Sequence, residues 1–363
     1  MADSCLIKGL DHLEFYVGNA KQASSFYAKY FGFANTAYKG LETGERKVVS
    51  YVMEQGKIRF VLSSALSSEH PISQSVWKHG DTITVIALEV SNVYQAYAQA
   101  LKGGAIAAIP PAKQEDSYGW LEFAAIQIFG DTLIKFIDRS HYSDNFAPGF
   151  APRYAAPINS MGLKSVDHTV GNVEQGQMER WVEVFTNALG FKLQCHYDER
   201  TISTEYSALM SKVLKNSAGT IININEPAPG RRKSQIQEYL DYHNGSGIQH
   251  IGLATDNIVQ TVRQMKQAGI EFLPIPQNYY DHLEDWVREI DAPIHFLAEF
   301  GILIDRDKDG YLLQIFTKPL SDRPTLFFEI IERHGSKGFG AGNFKSLFVA
   351  LEREQALRGN LKV

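Results

Sequence analysis

The chain has 363 residues, a formal net charge of −5 and a sequence pI near 6.1, with 44% hydrophobic and 21% charged residues. A single core usually stops growing below that length, so two domains are expected, and the composition excludes disordered and fibrous classes. No Lys/Arg block supplies the field that attracts phosphate backbones, and no apolar run approaches the roughly 18 residues that span a bilayer, which sets nucleic acid and membrane aside as partners.

From Met1 the chain runs straight into a strand-like pattern, without the basic start and apolar stretch of a secretory signal. Only two cysteines occur, Cys5 and Cys195, too few for a disulfide framework, so a reducing, cytoplasmic setting is expected. Residues 9–19 alternate as a short strand carrying Asp11 and His12, and Gly18 and Asn19 turn the chain. Ala23, Phe26, Tyr27, Tyr30 and Phe31 then share one face of a helix that should stop at Gly32, where a left-handed cap costs least. Residues 85–90 read as a strand feeding a helix that ends at Gly103 and Gly104, and residues 133–139 as a buried strand. From residue 165 the pattern returns. Asp167 and His168 lie on a strand, Gly171 and Asn172 turn it, and Met178, Trp181, Phe185 and Leu189 mark a helix ending at Gly190. Residues 250–255 repeat 85–90, with a helix ending at Gly269, and 327–333 repeat 133–139. Each half thus holds at least two units of strand, helix and several strands, a duplicated α+β architecture with halves 1–150 and 151–363.

Duplication lets one copy drift while the other keeps its chemistry, so the matched polar positions are informative. The C-terminal half offers His168, His250 and Glu329; the N-terminal half offers His12, Val85 and Lys135. Two imidazoles and a carboxylate with open positions form the arrangement of non-haem iron(II) oxygenases, although affinity alone would not exclude zinc, cobalt or nickel. One histidine with a valine and a lysine cannot hold such an ion. A lone histidine on a strand is usually core or surface; three ligands in register weigh against that reading. Other signals fail their own requirements. Residues 305–310 open like a calcium loop, but the twelfth position is Phe316 rather than Glu, and a hairpin at Asp309 and Gly310 explains them better. Residues 338–342 lack the ending and spacing of a phosphate-binding loop and read as a flexible hinge, and residues 230–233 as a solvated basic turn.

Denser motifs cover the whole chain: residues 40–44 (GLETG), 55–58 (QGKI), 61–65 (VLSSA), 224–227 (INEP), 233–238 (KSQIQE), 249–250 (QH), 310–319 (GYLLQIFTKP), 323–329 (RPTLFFE) and 338–344 (GFGAGNF). Through them the chain resembles the 4-hydroxyphenylpyruvate dioxygenases of the vicinal oxygen chelate superfamily. The resemblance implies a duplicated vicinal oxygen chelate fold, in which paired βαβββ units form partly open barrels. It implies one iron(II) per subunit on His168, His250 and Glu329. Gln249 and Gln314 would line the iron pocket, Ser211, Asn225 and Gln235 would surround the substrate phenol, and Phe316 and Phe344 would flank its ring. Phe327, Phe339 and Asn343 are further implied substrate contacts. The implied reaction takes 4-hydroxyphenylpyruvate and O2 to homogentisate and CO2 by oxidative decarboxylation, ring hydroxylation and side-chain migration, a step of tyrosine and phenylalanine catabolism. The substrate carries its own 2-oxo acid, so no 2-oxoglutarate, haem or flavin is expected. A homo-oligomer, dimer or tetramer, is implied as well.

The segment from about 338 to 357 joins a glycine-rich start to a helical run and reads as a mobile lid carrying Phe339 and Phe344; a plain packing helix is the alternative. Two rival functions remain open. One is 4-hydroxymandelate synthase, which shares substrate and metal but carries an aliphatic residue where this chain has Phe344. The other is a non-catalytic binding protein of the same fold. Extradiol dioxygenases and glyoxalases share ligand types but not the Gln-rich and Gly-Phe-Gly segments. Asn223 stands where many family members have proline and could reshape one pocket wall.

Overall fold

The computed structural model describes residues 6–153, 159–198, 208–283 and 294–360. The first half comprises β1 (Ile7–Tyr16), α1 (Ala20–Phe31), β2 (Ala34–Lys39), β3 (Val48–Gln55), β4 (Ile58–Ala65), α2 (Pro71–His79), β5 (Thr82–Val90), α3 (Val93–Lys102), β6 (Ile106–Asp116), β7 (Gly119–Gln127), β8 (Leu133–Asp138) and β9 (Ala151–Pro152). The second comprises β10 (Leu163–Asn172), α4 (Met178–Leu189), β11 (Lys192–Tyr197), β12 (Ala208–Lys215), β13 (Ile221–Ala228), α5 (Gln235–His243), β14 (Gly247–Thr255), α6 (Ile258–Ala268), α7 (Ile294–Phe300), β15 (Leu303–Asp307), β16 (Gly310–Phe316), β17 (Phe327–His334) and α8 (Phe344–Leu357).

Local chemistry sets the ends of the repeated helices. Asn19, Asn92 and Asn257 each accept a hydrogen bond from the third residue onward, at 3.0, 2.8 and 2.9 Å, and so start α1, α3 and α6. The expected stops hold: Gly32 and Gly190 cap α1 and α4 in the left-handed region, at φ 73° and 69°.

The strands form two sheets, ordered β6-β7-β8-β5-β1-β4-β3-β2-β9 and β11-β12-β13-β10-β14-β17-β16-β15. Each is two βαβββ units joined back to back. In the first, β1 and β5 meet antiparallel, with β4 and β8 parallel on their outer sides; β10, β14, β13 and β17 repeat the scheme. This is the duplicated vicinal oxygen chelate fold, and each sheet curls around its own cavity.

The halves meet through their outer layers, α3 against α4 and α1 against α6. A Cβ on Gly103 would lie 2.4 Å from the Ala188 Cα, so only glycine permits that approach of the backbones. Phe328 of β17 enters an aromatic cluster of the first half, with ring centroids 5.1 Å from Phe31 and 5.9 Å from Phe60. Strand alternation sends its neighbours Phe327 and Glu329 the other way, into the cavity of the second sheet. The joint between halves and the wall of that cavity are therefore opposite faces of one strand. No helix among the described residues is long and apolar enough to cross a membrane.

Candidate metal centre and substrate pocket

Three strands of the second sheet bring His168, His250 and Glu329 together. In register, His168 of β10 faces Gly252 of β14, which faces Glu329 of β17, while Val170 faces His250. A Cβ at Gly252 would lie 2.4 Å from the His168 ring, so the absent side chain makes room for the imidazole. The Glu329 carboxylate reaches His168 Nε2 at 3.1 Å and His250 Nε2 at 3.9 Å, and one ligand atom from each residue lies within 4.8 Å of the other two. All three side chains are buried, at 3%, 9% and 4% exposure. Among the described residues no other group of three His, Cys, Asp or Glu converges in this way.

Each imidazole is aimed from behind. His168 Nδ1 meets Asp167 Oδ1 at 2.8 Å, and Asp167 is itself gripped by Arg333 Nε and Nη2 at 2.7 and 2.8 Å. His250 Nδ1 faces the Gln249 side-chain oxygen at 3.2 Å, and the His250 ring stacks on Phe327 at 4.7 Å. With Nδ1 donating in both rings, both Nε2 lone pairs are left for a cation. Burial would lower the His168 pKa, but the Glu329 and Asp167 carboxylates outweigh it and push it up to about 9. Burial, and then the neighbouring His168, holds His250 well below its ordinary value. Two imidazoles and one carboxylate so disposed fit a divalent metal.

The pocket around this centre spans about 610 Å3, part of it open to solvent. Every implied contact but one lines it: Gln249, Gln314, Phe316, Phe327, Ser211, Asn225, Gln235, Phe339 and Phe344. The exception is Asn343, whose Oδ1 instead accepts from the Tyr279 hydroxyl at 2.7 Å. A β-bulge explains how Gln249 and His250 both reach inward, since the β10–β14 register shifts between Val170 and Gly171. Gln249 Nε2 donates on to Gln235 Oε1 at 3.3 Å, which extends the His250 hydrogen bond to a second polar side chain of the pocket. The side-chain oxygens of Gln314, Asn223 and Asn225 are buried with no hydrogen-bond partner among the described residues; a polar guest would supply one. Asn223 does form part of the wall. Val170, Tyr197, Leu209, Leu347 and Phe348 complete it and were not anticipated. Two-residue spacing from His168 could have pointed to Val170, and helical spacing from Phe344 to Leu347 and Phe348; Tyr197 and Leu209 carry no such signal.

The glycine-rich segment expected as a flexible hinge is tied down. Asp307 Oδ2 accepts from Ser336 Oγ and from the amides of Lys337 and Gly338 at 2.7–2.9 Å, and Asp305 accepts from the Gly342 amide at 3.1 Å. The two aspartates that looked like the start of a calcium loop, beyond closing the expected hairpin of β15 and β16, are anchors for this segment. Gly340, at φ 71°, leaves room for Gln314, since a Cβ there would lie 2.3 Å from the Gln314 Oε1. At its far end α8 is fastened to α5: Arg358 Nη2 and Asn360 Nδ2 both donate to Glu238 at 2.8 Å.

The first sheet carries the same register with other residues. His12 faces Ala87, which faces Lys135, and Glu14 faces Val85. The aiming device is intact: His12 Nδ1 lies 2.5 Å from Asp11, which Arg139 Nε grips at 2.6 Å. The ligand set is not, since Val85 and Lys135 stand where His250 and Glu329 stand.

Fold and site together define a vicinal oxygen chelate protein with a two-histidine, one-carboxylate centre in its second half. Residues 9–124 and 165–315 match the model of the Glyoxalase/Bleomycin resistance protein/Dioxygenase superfamily. The chain is 44% identical to 4-hydroxyphenylpyruvate dioxygenase of Yarrowia lipolytica, over 98% of this chain and 94% of that one, and 42% identical to that of Dictyostelium discoideum, over 98% and 100%. It superposes on the solved structure of a 4-hydroxymandelate synthase mutant from Streptomyces coelicolor with a TM-score of 0.88 at 30% identity, covering 96% of this chain and 99% of the other. The chain belongs to the 4-hydroxyphenylpyruvate dioxygenase family.

Proposed function

We propose that the chain converts 4-hydroxyphenylpyruvate and O2 to homogentisate and CO2, with iron(II) held by His168, His250 and Glu329. The observation that carries this reading is one pocket whose wall combines a two-histidine, one-carboxylate cluster with buried polar side chains and several phenylalanines. Iron(II), when bound, supplies dioxygen activation and a Lewis acid for the 2-oxo acid of the substrate.

The side chains position and shield. Gln249 holds His250 in the tautomer that presents Nε2, and Gln314 offers an amide beside the centre for the substrate's carboxylate end. Ser211, Asn225 and Gln235 receive the phenol, which would be costly to bury without partners. Phe316 and Phe344 sandwich the ring and fix how far it reaches from the metal, and Phe327 backs the His250 imidazole. Phe339, with Leu347 and Phe348, keeps water from the reacting carbon. Asn343 acts through Tyr279, setting where α8 begins. The metal chemistry belongs to the unit 151–363, closed by the segment from about 338 to 357, while the unit 1–150 binds no metal. A cytoplasmic homo-oligomer, dimer or tetramer, completes the reading.

The test is oxygen uptake by iron(II)-loaded protein given 4-hydroxyphenylpyruvate, with chromatographic identification of the aromatic product. Homogentisate is expected. Hydroxymandelate would move the chain to the activity named for its structural neighbour, and no uptake with iron bound would overturn the proposal.

A further inference from the structure

The first sheet keeps a cavity where the second keeps its metal pocket. It spans about 880 Å3, part of it open to solvent, more than the pocket of the second half, and is lined by both polar and apolar side chains. Most of its charges are spoken for. Arg139 is bound to Asp11 at 2.6 and 3.0 Å, Lys39 to Glu45 at 3.3 Å, and the Glu14 carboxylate accepts from Ser63 Oγ at 2.7 Å.

Lys135 is the exception. Among the described residues its ammonium makes neither a hydrogen bond nor an ion pair within 4.0 Å, and it lies over the face of Phe123 at 5.0 Å. Burial depresses its pKa, only partly offset by the more distant Glu14. Lys135 is half-buried, and an ammonium partly withdrawn from water without a direct ion pair is unfavourable; methionine at 135 would fill the space without that cost. A local rule broken without an internal gain is what a binding group looks like before its ligand arrives.

We infer that this cavity is a second ligand site, selective for a small organic carboxylate. The anionic group pairs with Lys135, within reach of Gln114 and of His12, whose Nδ1 is engaged by Asp11 so that Nε2 is left over. The apolar body of the ligand lies against Phe146 and Phe150, which meet edge to face at 4.9 Å. One ammonium without a direct ion pair, with the Glu14 carboxylate also facing the cavity, suits a monocarboxylate better than a phosphate, which would call for several cations. A metal cation is disfavoured by the same ammonium. This inference stands apart from the reaction assigned to the second half, because no residue is shared between the two cavities.

The experiment uses full-length, iron-loaded protein crystallised with 4-bromophenylacetate, whose bromine is located by anomalous scattering, in the wild type, in Lys135→Met and in Val48→Trp, which narrows the cavity but leaves the ammonium. The expected result is a bromine peak in the first-half cavity of the wild type and none there in either variant, with calorimetry showing one binding event fewer in Lys135→Met. Lys135→Met should also melt at a higher temperature than wild type, which reports on its folding. A peak in the second-half pocket of all three proteins serves as an internal control. An empty first-half cavity in the wild type, or an undiminished peak in Lys135→Met, would overturn the inference. Should Lys135→Met fail to fold, Val48→Trp decides: a peak persisting there places the acid elsewhere than in this cavity.

Discussion

The two halves share their strand order, their register and their means of orienting a histidine, and they part at the residues that would touch an ion. Asp11, His12 and Arg139 superimpose in role on Asp167, His168 and Arg333, down to a guanidinium gripping the carboxylate through two nitrogens. Across the sheet, Val85 replaces His250 and Lys135 replaces Glu329. The scaffold supplies the positions, while the identity of two side chains decides whether two imidazoles and a carboxylate converge there. Copying one residue of the first half into the second should therefore have the largest effect. Glu329→Lys is expected to abolish bound iron and reduce oxygen uptake to background, read by metal analysis and an oxygen electrode on one preparation; iron retained in full would refute the ligand assignment.

The halves also depend on each other mechanically. Phe328 is fully buried in the aromatic cluster between them, so Phe328→Ala should cost about 3–5 kcal/mol of stability, measured by urea denaturation. A loss under about 1 kcal/mol would mean that the joint collapses around the gap. Next in size come the orienting carboxylates. Asp167→Asn should weaken iron binding roughly 10- to 100-fold, the usual scale for a group one shell behind a ligand. Asp11→Asn, the same change in the first half, should leave iron content untouched. Equal effects from the two changes would erase the functional distinction drawn between the halves.

A smaller, pH-dependent effect concerns the pin between α2 and α5. His243 is buried and stacked on His79 at 4.3 Å, and with Nδ1 donating to the Gly245 carbonyl its Nε2 accepts from the Thr82 hydroxyl at 3.1 Å. Burial, and then the neighbouring His79, lower its pKa to about 3. The unfolded chain binds the proton near pH 6.5 and the folded one only near 3, so this contribution is complete above pH 6.5 and is lost as pH falls through that window. At pH 5 the loss is roughly 2 kcal/mol. His243→Asn should flatten the stability profile between pH 6.5 and 5; an unchanged slope would assign the acid sensitivity elsewhere.

Much of this was legible in the chain itself, because repetition puts matched residues side by side. The strand carrying His168, the glycine stops of α1 and α4, and the valine and lysine that stand in the first half at the positions of His250 and Glu329 all follow from aligning the sequence with itself. What escaped depends on long-range geometry. No local pattern announces the bulge that turns both Gln249 and His250 inward. The partners of Asp307 lie 29 to 31 residues further on, so its hold on the glycine-rich segment is invisible until the hairpin of β15 and β16 is built. Asn343 sits beside Phe344 in sequence, yet it turns to Tyr279 because the turn before α8 directs successive side chains to different sides. Tyr197 reaches the pocket only because β11 is the edge strand that wraps toward α8, where its ring meets Phe344 edge to face at 5.1 Å.

That contact bears on the finest difference expected, the choice of product. Phe344 is held by Tyr197 on one side and, as the first residue of α8, by the tied glycine-rich segment on the other, so its ring is a fixed wall. An aliphatic side chain at this position is shorter and lacks the edge-to-face contact, which gives the bound ring freedom to shift relative to the metal. Phe344→Ile should therefore retain iron and oxygen uptake but divert a measurable share of product from homogentisate to hydroxymandelate, separated by chromatography. Tyr197→Leu, which leaves Phe344 in place but removes its support, should divert a smaller share in the same direction. If both variants give homogentisate alone, ring position is set by the polar side chains Ser211, Asn225 and Gln235, and the aromatic wall contributes affinity without directing the reaction.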